Sequence, residues 1–361
     1  MAETIFTRAM ISLVTEDLNS AIPEKDEAVP YCCSPAWISL CRKVFGYEVK
    51  TFSIRRGSGR IGGFMYAVVR SPVFGTRLVS MPFSDEGALW FKPGETPDAQ
   101  SMKAVRDAVT EVLDKDAGEL GADYAELRGT EILFPKGESD ERFICASPYT
   151  RFVLNTSSPY AALRERFQTN LIKNLRKADK YVSVADTREP EEMVGVYDIY
   201  VRQMREFGSP PLPVVYFTHL LKEGLGRLFI ARVNGCPAAM LFTLEHDGTR
   251  FADINSGNQE LEEFFPKIRL FDETIRSACG ANLRAYDLMR TRPGSGVHEH
   301  KQKWGGKEFP IKYYFRQYRA GVNLEMDPEQ KRFAPARLLL KHLPLSLLVK
   351  IGPLIRRHAG K

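Results

Sequence analysis

The residues best suited to chemistry lie together in one run, where Tyr286-Asp287-Leu288-Met289-Arg290-Thr291-Arg292-Pro293-Gly294-Ser295-Gly296 continues into Val297-His298-Glu299-His300-Lys301-Gln302-Lys303-Trp304-Gly305-Gly306. Arg290 and Arg292 carry planar guanidinium groups, which grip phosphate or carboxylate through paired hydrogen bonds. The Pro293-Gly294-Ser295-Gly296 turn bends the backbone and is expected to leave amide N–H groups facing outward; such amides beside cations form an anion site. Lys301 and Trp304 stand three residues apart, so a helix or tight turn sets an ammonium and a large aromatic on one side. Together these groups suit a phosphorylated or carbonyl-bearing ligand. A basic surface turn before an edge strand, with Trp304 as a core anchor, accounts for the same residues without any ligand. Both readings stand at this point. His298-Glu299-His300 has no accompanying Cys or second His cluster, which argues against a metal site.

The elements that must position this run can be traced back along the chain. Leu283–Leu288 reads as a strand, fed by a helix over Phe264–Cys279 that turns Ile268, Phe271, Ile275 and Ala278 inward. Before it, Arg227–Val233 and Ala238–Glu245 form a hairpin across Asn234-Gly235, a pair that readily adopts positive φ, and Arg250–Ile254 adds a strand. Earlier still are helices over Ala161–Lys180, Glu191–Glu206 and Phe217–Leu221, with Phe152-Val153-Leu154 as a strand. Ile311–Tyr318 closes the sheet.

The N-terminal half has its own set of elements. A short element over Ile5–Val14 and a polar acidic loop ending at Pro30 precede Ser34-Pro35, a helix start signal. Strands over Lys50–Arg55, Gly63–Val69 and Leu78–Phe83, a helix over 99–116 and a strand over Tyr124–Leu127 follow. Gly57-Ser58-Gly59-Arg60-Ile61-Gly62 fits a dinucleotide-binding pattern by accident, since a strand follows it where a helix is required. The order is that of an α/β protein with mixed sheets and appears twice. It predicts domains at 1–148 and 149–325, a tail at 326–361, and a ligand site in the cleft between lobes.

Composition narrows the function classes. At 361 residues and 43% hydrophobic content, the chain is long and apolar enough for two packed domains. No stretch reaches the ~18 uninterrupted apolar residues of a membrane span, and Met1-Ala2-Glu3-Thr4 does not open like a secretion signal, so residence in the cytoplasm is expected. Six cysteines show no Cys-x-x-Cys pair, consistent with reduced thiols. Residues 331–361 hold eight Lys and Arg with no Asp or Glu, leaving −2 for the remainder of the +6 total. A nearly neutral body does not support a broad nucleic-acid face, and DNA is excluded as a partner. The Leu-rich basic tail, interrupted by Pro344 and Pro353, either packs back on the body or lies on an anionic membrane surface at the inner face of the cytoplasmic membrane.

The run 286–306 resembles the signature of FemAB-like acyltransferases of the GNAT type, a strand ending in Asp-Phe-Gly-Arg-Ser, a Gly-Thr/Ser-Gly turn, then Phe-Lys, two residues and Trp-Gly. Tyr286-Asp287, Arg290-Thr291, Gly294-Ser295-Gly296, Lys301 and Trp304-Gly305 carry the match in order. Met289 replaces the family's glycine and His300 its phenylalanine. Trp37, Gly59–Gly63, Phe74-Gly75 and Ser80–Phe83 resemble the family's N-terminal half, Asn174-Leu175-Arg176-Lys177-Ala178 its second-domain helix, and Arg205-Glu206-Phe207-Gly208-Ser209-Pro210 its Leu-Gly-Thr-Pro corner. The tail is similar to a Leu-Pro and Leu/Ile-Gly-Pro ending in related proteins.

The resemblance implies two tandem GNAT-like domains and transfer of an acyl or aminoacyl group to an amine on a peptidoglycan, exopolysaccharide or lipid-linked precursor. Such a transfer needs a held carbonyl and stabilised oxyanion but no protein nucleophile, and no Gly-x-Ser-x-Gly elbow is present. Lys301 is expected to bind donor phosphate or to oppose the developing negative charge, with Asp287 or Asp85 orienting or deprotonating the amine. Arg205, Arg290, Arg292, Gly294, Ser295, Gly296, His300 and Trp304 are expected to bind substrate. No cofactor is held permanently; the donor, acyl-CoA or aminoacyl-tRNA, is a co-substrate, and tRNA enters only in that role. The Gln/Arg-x-x-Gly-x-Gly/Ala loop of acetyl-CoA-dependent relatives is missing, which weighs modestly against acetyl-CoA, and the −2 body weighs modestly against a large tRNA footprint. The competing class is a non-catalytic envelope-assembly protein that keeps the fold and binds a lipid-linked sugar or peptide.

Overall fold

A computed structural model describes residues 4–5, 11–16, 29–135, 140–322, 324 and 330–360. Most of the acidic loop expected before Pro30 lies outside these residues. The chain divides into two compact units. The first comprises Met1–Pro148, Ile311–Met326 and Arg357–Lys361, and the second Tyr149–Pro310 and Asp327–Arg356. Residues 311–325, grouped by sequence with the second domain, are thus part of the first unit. The reason is pairing: Tyr313–Gln317 lie antiparallel to Tyr124–Arg128, and the Tyr314 ring stacks on Phe134 at 3.8 Å.

In the first unit, β1 (Thr4–Ile5), β2 (Ile11–Thr15), the short helix α1 (Pro35–Ser39), β3 (Glu48–Arg56), β4 (Gly59–Ser71), β5 (Gly75–Ser80), β6 (Leu89–Phe91), the long helix α2 (Ala99–Leu120) and β7 (Tyr124–Arg128) follow in order. Ser34 caps α1 by accepting the Trp37 amide, as its Ser-Pro start predicts. The β3–β4 hairpin turns at Gly57-Ser58, and Gly59–Gly62 lie inside β4. Gly62 and Gly63 are required there because β6 crosses so closely: a Cβ on either would stand 2.2 Å from Trp90. The strands are antiparallel except β5 and β7, which run parallel from Arg77↔Tyr124 to Ser80↔Leu127. Met102, Val105, Val109 and Val112 of α2 bury themselves against Phe52, Phe64, Leu78 and Leu127.

The second unit begins within β8 (Ile144–Asn155) and continues through α3 (Tyr160–Arg164), α4 (Thr169–Ala178), β9 (Val182–Thr187), α5 (Pro190–Phe207), α6 (Val214–Lys222), β10 (Gly226–Val233), β11 (Cys236–His246) and β12 (Thr249–Gly257). Next come α7 (Pro266–Gly280), β13 (Ala285–Thr291), α8 (Gly296–Gln302) and the start of β14 (Lys307–Gln317), and the unit ends with α9 (Ala334–His342) and most of α10 (Leu345–Ala359). The β10–β11 hairpin turns at Asn234 (φ +50°) and Gly235 (φ +80°), the backbone that an Asn-Gly pair favours. The helix expected over Ala161–Lys180 is instead two, α3 and α4. Between them Phe167 drops edge-on against Trp304 at 5.1 Å and the Gln168 amide donates to the Lys303 carbonyl, so tertiary contact outweighs local propensity.

The tail is docked. Gly208, at φ +63° after α5, lies so close to α9 that a Cβ would stand 2.5 Å from the Arg337 carbonyl, and Gly352 of α10 sits against Pro211 in the same way. Arg356 Nε donates to the Pro210 carbonyl at 2.7 Å. The corner 207–213 is therefore an anchor of the tail within the second unit. No helix among the described residues is long and apolar enough to cross a membrane.

Candidate active site

The site in the second unit begins where two parallel strands part. β12 and β13 pair only from Thr249↔Ala285 to Phe251↔Asp287; further on, β12 stays with β11 and β13 with β8. A ligand crevice is expected beyond the carboxyl ends of such strands. A cavity of about 490 Å³ lies there. Gln203 and Phe207 of α5, Asn255 of β12, Glu262, the start of α7 from Phe265 to Ile268, Phe271, and Gly296, Val297, His300 and Lys301 of α8 line it.

Asp287 shapes the end of β13. Its Oδ2 meets Arg151 Nη1 at 3.1 Å and its Oδ1 accepts the Met289 amide at 2.7 Å. That second bond holds Met289 at φ +60°, a left-handed conformation that glycine adopts without penalty. The methionine at the family's glycine position is thus accommodated by the neighbouring carboxylate. The twist turns two carbonyls toward α8, and Lys301 Nζ donates to both, to Met289 O at 3.0 Å and Arg290 O at 2.8 Å. Lys301 is only 7% exposed, so its charge acts in a desolvated setting.

His300 is the second polar wall. Trp304 Nε1–H, which can only donate, approaches its Nε2 at 3.5 Å, so the neutral ring carries its proton on Nδ1. Burial first, then the charges of Lys303, Lys267 and Lys301, push its pKa down to about 4. A histidine depressed in this way contributes fold stability that is complete above the unfolded value near 6.5 and is lost as pH falls through 4. The loss is at most about 3 kcal/mol. Denaturation series across this range should show wild type losing more stability than His300→Phe, whose slope lacks this contribution.

The other expected residues divide. Gly296 lines the cavity with Lys301 and His300, whereas Arg205 does not, although Gln203 and Phe207 on its own helix do. Two residues along a helix is more than half a turn. Trp304 is fully buried, edge-on to Phe167 and tilted against Phe271, and so supports the wall from behind. Ser295 caps α8 by accepting the His298 amide and donates to the Arg292 carbonyl, and the turn through Gly294 (φ +73°) satisfies its own amides in part, unlike the open anion cradle expected there. Arg290 lies over the Tyr149 ring at 5.2 Å. His298 Nε2 turns to Glu308 at 2.9 Å. Asp287 is committed to Arg151 and Met289, and Asp85 belongs to the first unit, where Tyr313 donates to it at 2.7 Å. The carboxylate among the lining residues is Glu262, paired with Lys267 Nζ at 2.9 Å.

Residues 165–302 match the acetyltransferase (GNAT) domain family. A search of curated proteins found no match. Among solved structures, FemX is similar over 84% of this chain and 96% of its own, at 11% identity and a TM-score of 0.61. L-PGS from Bacillus licheniformis is similar over 94% and 100%, at 10% identity and 0.52. These likenesses describe the fold, and the strands that part at the site fall within the matched span.

Proposed function

We propose that this chain is a FemAB-like acyltransferase of the GNAT type and that it moves an acyl or aminoacyl group onto an amine of a cell-envelope precursor, in the cavity of its second unit. The observation that carries this reading is the desolvated ammonium of Lys301 beside neutral His300, at the opening of two parallel strands. The uncharged amine attacks the donor carbonyl, and the carbonyl electrons move onto oxygen as the tetrahedral intermediate forms. Lys301 opposes that charge, and the His300 ring flanks it as an uncharged wall. Collapse expels the donor's oxygen or sulfur, and the proton shed by the amine passes to Glu262 or to water.

The connection from β12 to α7 bears on the donor. It holds Glu260, Glu262 and Glu263 in a tight helical turn, where a pyrophosphate-binding loop would offer open amides. That charge disfavours a pyrophosphate-bearing thioester held at this turn, and it does not attract the phosphodiesters of a tRNA either. Incubation of the full chain with acyl-CoA species, charged tRNA and extracted lipid-linked precursors, read by mass spectrometry, is expected to give an acyl or aminoacyl increment on the precursor, its mass identifying the donor. No increment from any donor would overturn the reading.

A further inference from the structure

The tail that docks on the 207–213 corner turns a second, unusual face outward. Leu338 and Leu339 of α9 are 60% and 63% exposed, and Leu354 of α10 is 58% exposed. Lys341 and Lys350 stand among them, also exposed. On α10 the spacing explains the pattern: Leu347, Lys350 and Leu354 share one side, while Leu348 and Gly352 face the body. Apolar tips interleaved with long basic side chains, and without a carboxylate from 331 to 361, suit a surface that is anionic outside and apolar just beneath. A second copy of the same face is disfavoured, since like charges would be set against each other.

The position of this face gives it a role. Phe207, which lines the cavity, directly precedes Gly208, the residue pressed against α9. The helix that carries Leu338, Leu339 and Lys341 is therefore packed beside a residue of the cavity wall.

We infer that the exposed face of α9 and α10 is a docking surface for an anionic phospholipid bilayer, which brings the cavity of the second unit to amine-bearing acceptors anchored in that bilayer. The first half stands on the tail alone, and the second rests on the transfer reading above. The leucines enter the headgroup boundary, and the lysines reach phosphate from its edge. Each basic residue is expected to strengthen partitioning about fivefold, so reversing two weakens it by roughly thirtyfold or more.

Flotation of the full chain with phosphatidylglycerol–phosphatidylcholine vesicles, and with phosphatidylcholine alone, tests this. Binding is expected to the anionic vesicles only, to fall as salt is raised, and to be lost in Lys341→Glu/Lys350→Glu and in Leu339→Asp/Leu354→Asp. These positions are exposed, so thermal unfolding and turnover of a water-soluble amine are expected to remain as in wild type. Undiminished flotation of both variants, equal binding to uncharged vesicles, or wild-type self-association that the variants abolish would overturn the docking surface. The two halves separate cleanly. A bilayer-bound protein that transfers to soluble but not to vesicle-anchored amines overturns the acceptor, whereas absence of all transfer is a failure of the catalytic reading and leaves flotation as the judge of the surface.

Discussion

Lys301→Met is expected to lower kcat/KM for transfer by about 10²- to 10³-fold, the usual cost of removing a preorganised group that opposes an oxyanion. The ammonium is nearly buried and fixed by two carbonyls at 3.0 and 2.8 Å, so its charge is aimed without reorganising during reaction. Those same bonds present a rival account, in which Lys301 merely ties α8 to the end of β13. Lys301→Gln separates the two, because an amide can still donate to a carbonyl but carries no charge. If charge is what matters, the glutamine variant stays nearly as slow as the methionine variant while recovering part of the stability lost. That loss is about 1.5–3 kcal/mol for a charged hydrogen bond. Restoration of rate in step with melting temperature would reduce Lys301 to a tie.

Much of the frame could be read from local signals. The Asn234-Gly235 hairpin, the Ser34 cap and the inward face of α7 were legible because each depends on neighbours within a few residues. The cavity was legible only at one edge. Lys301 and His300 stand in a recognisable run, but Gln203, Asn255 and Glu262 join them from α5, β12 and the turn after it, and only the parting of β12 from β13 brings these together. Spacing had no signal for that. Asp85 looked eligible as a carboxylate in a polar loop, yet Tyr313, far along the chain, already holds it. The break between α3 and α4 was hidden for a related reason: the ring of Phe167 continued the helical stripe in sequence while in space it is a plug against Trp304.

Trp304 is where the two original readings of the run part most sharply. As a cavity wall, its loss would widen the site and change which donors are accepted, at small cost in stability. As a core anchor, Trp304→Ala should destabilise the second unit by about 3–5 kcal/mol and leave the KM of the surviving folded fraction close to wild type. The packing favours the anchor: the ring is fully buried, with Phe167 at 5.1 Å and Phe271 at 5.8 Å between ring centroids. Trp304→Phe fills most of the same space but lacks the Nε1–H that fixes the His300 tautomer. It should therefore retain most of the stability yet let the His300 proton move between ring nitrogens, visible as a change in the imidazole nitrogen resonances. Denaturant unfolding of the two variants, read beside their KM values, decides the matter. A modest stability loss with altered donor selectivity in Trp304→Ala would move the indole from the core into the site.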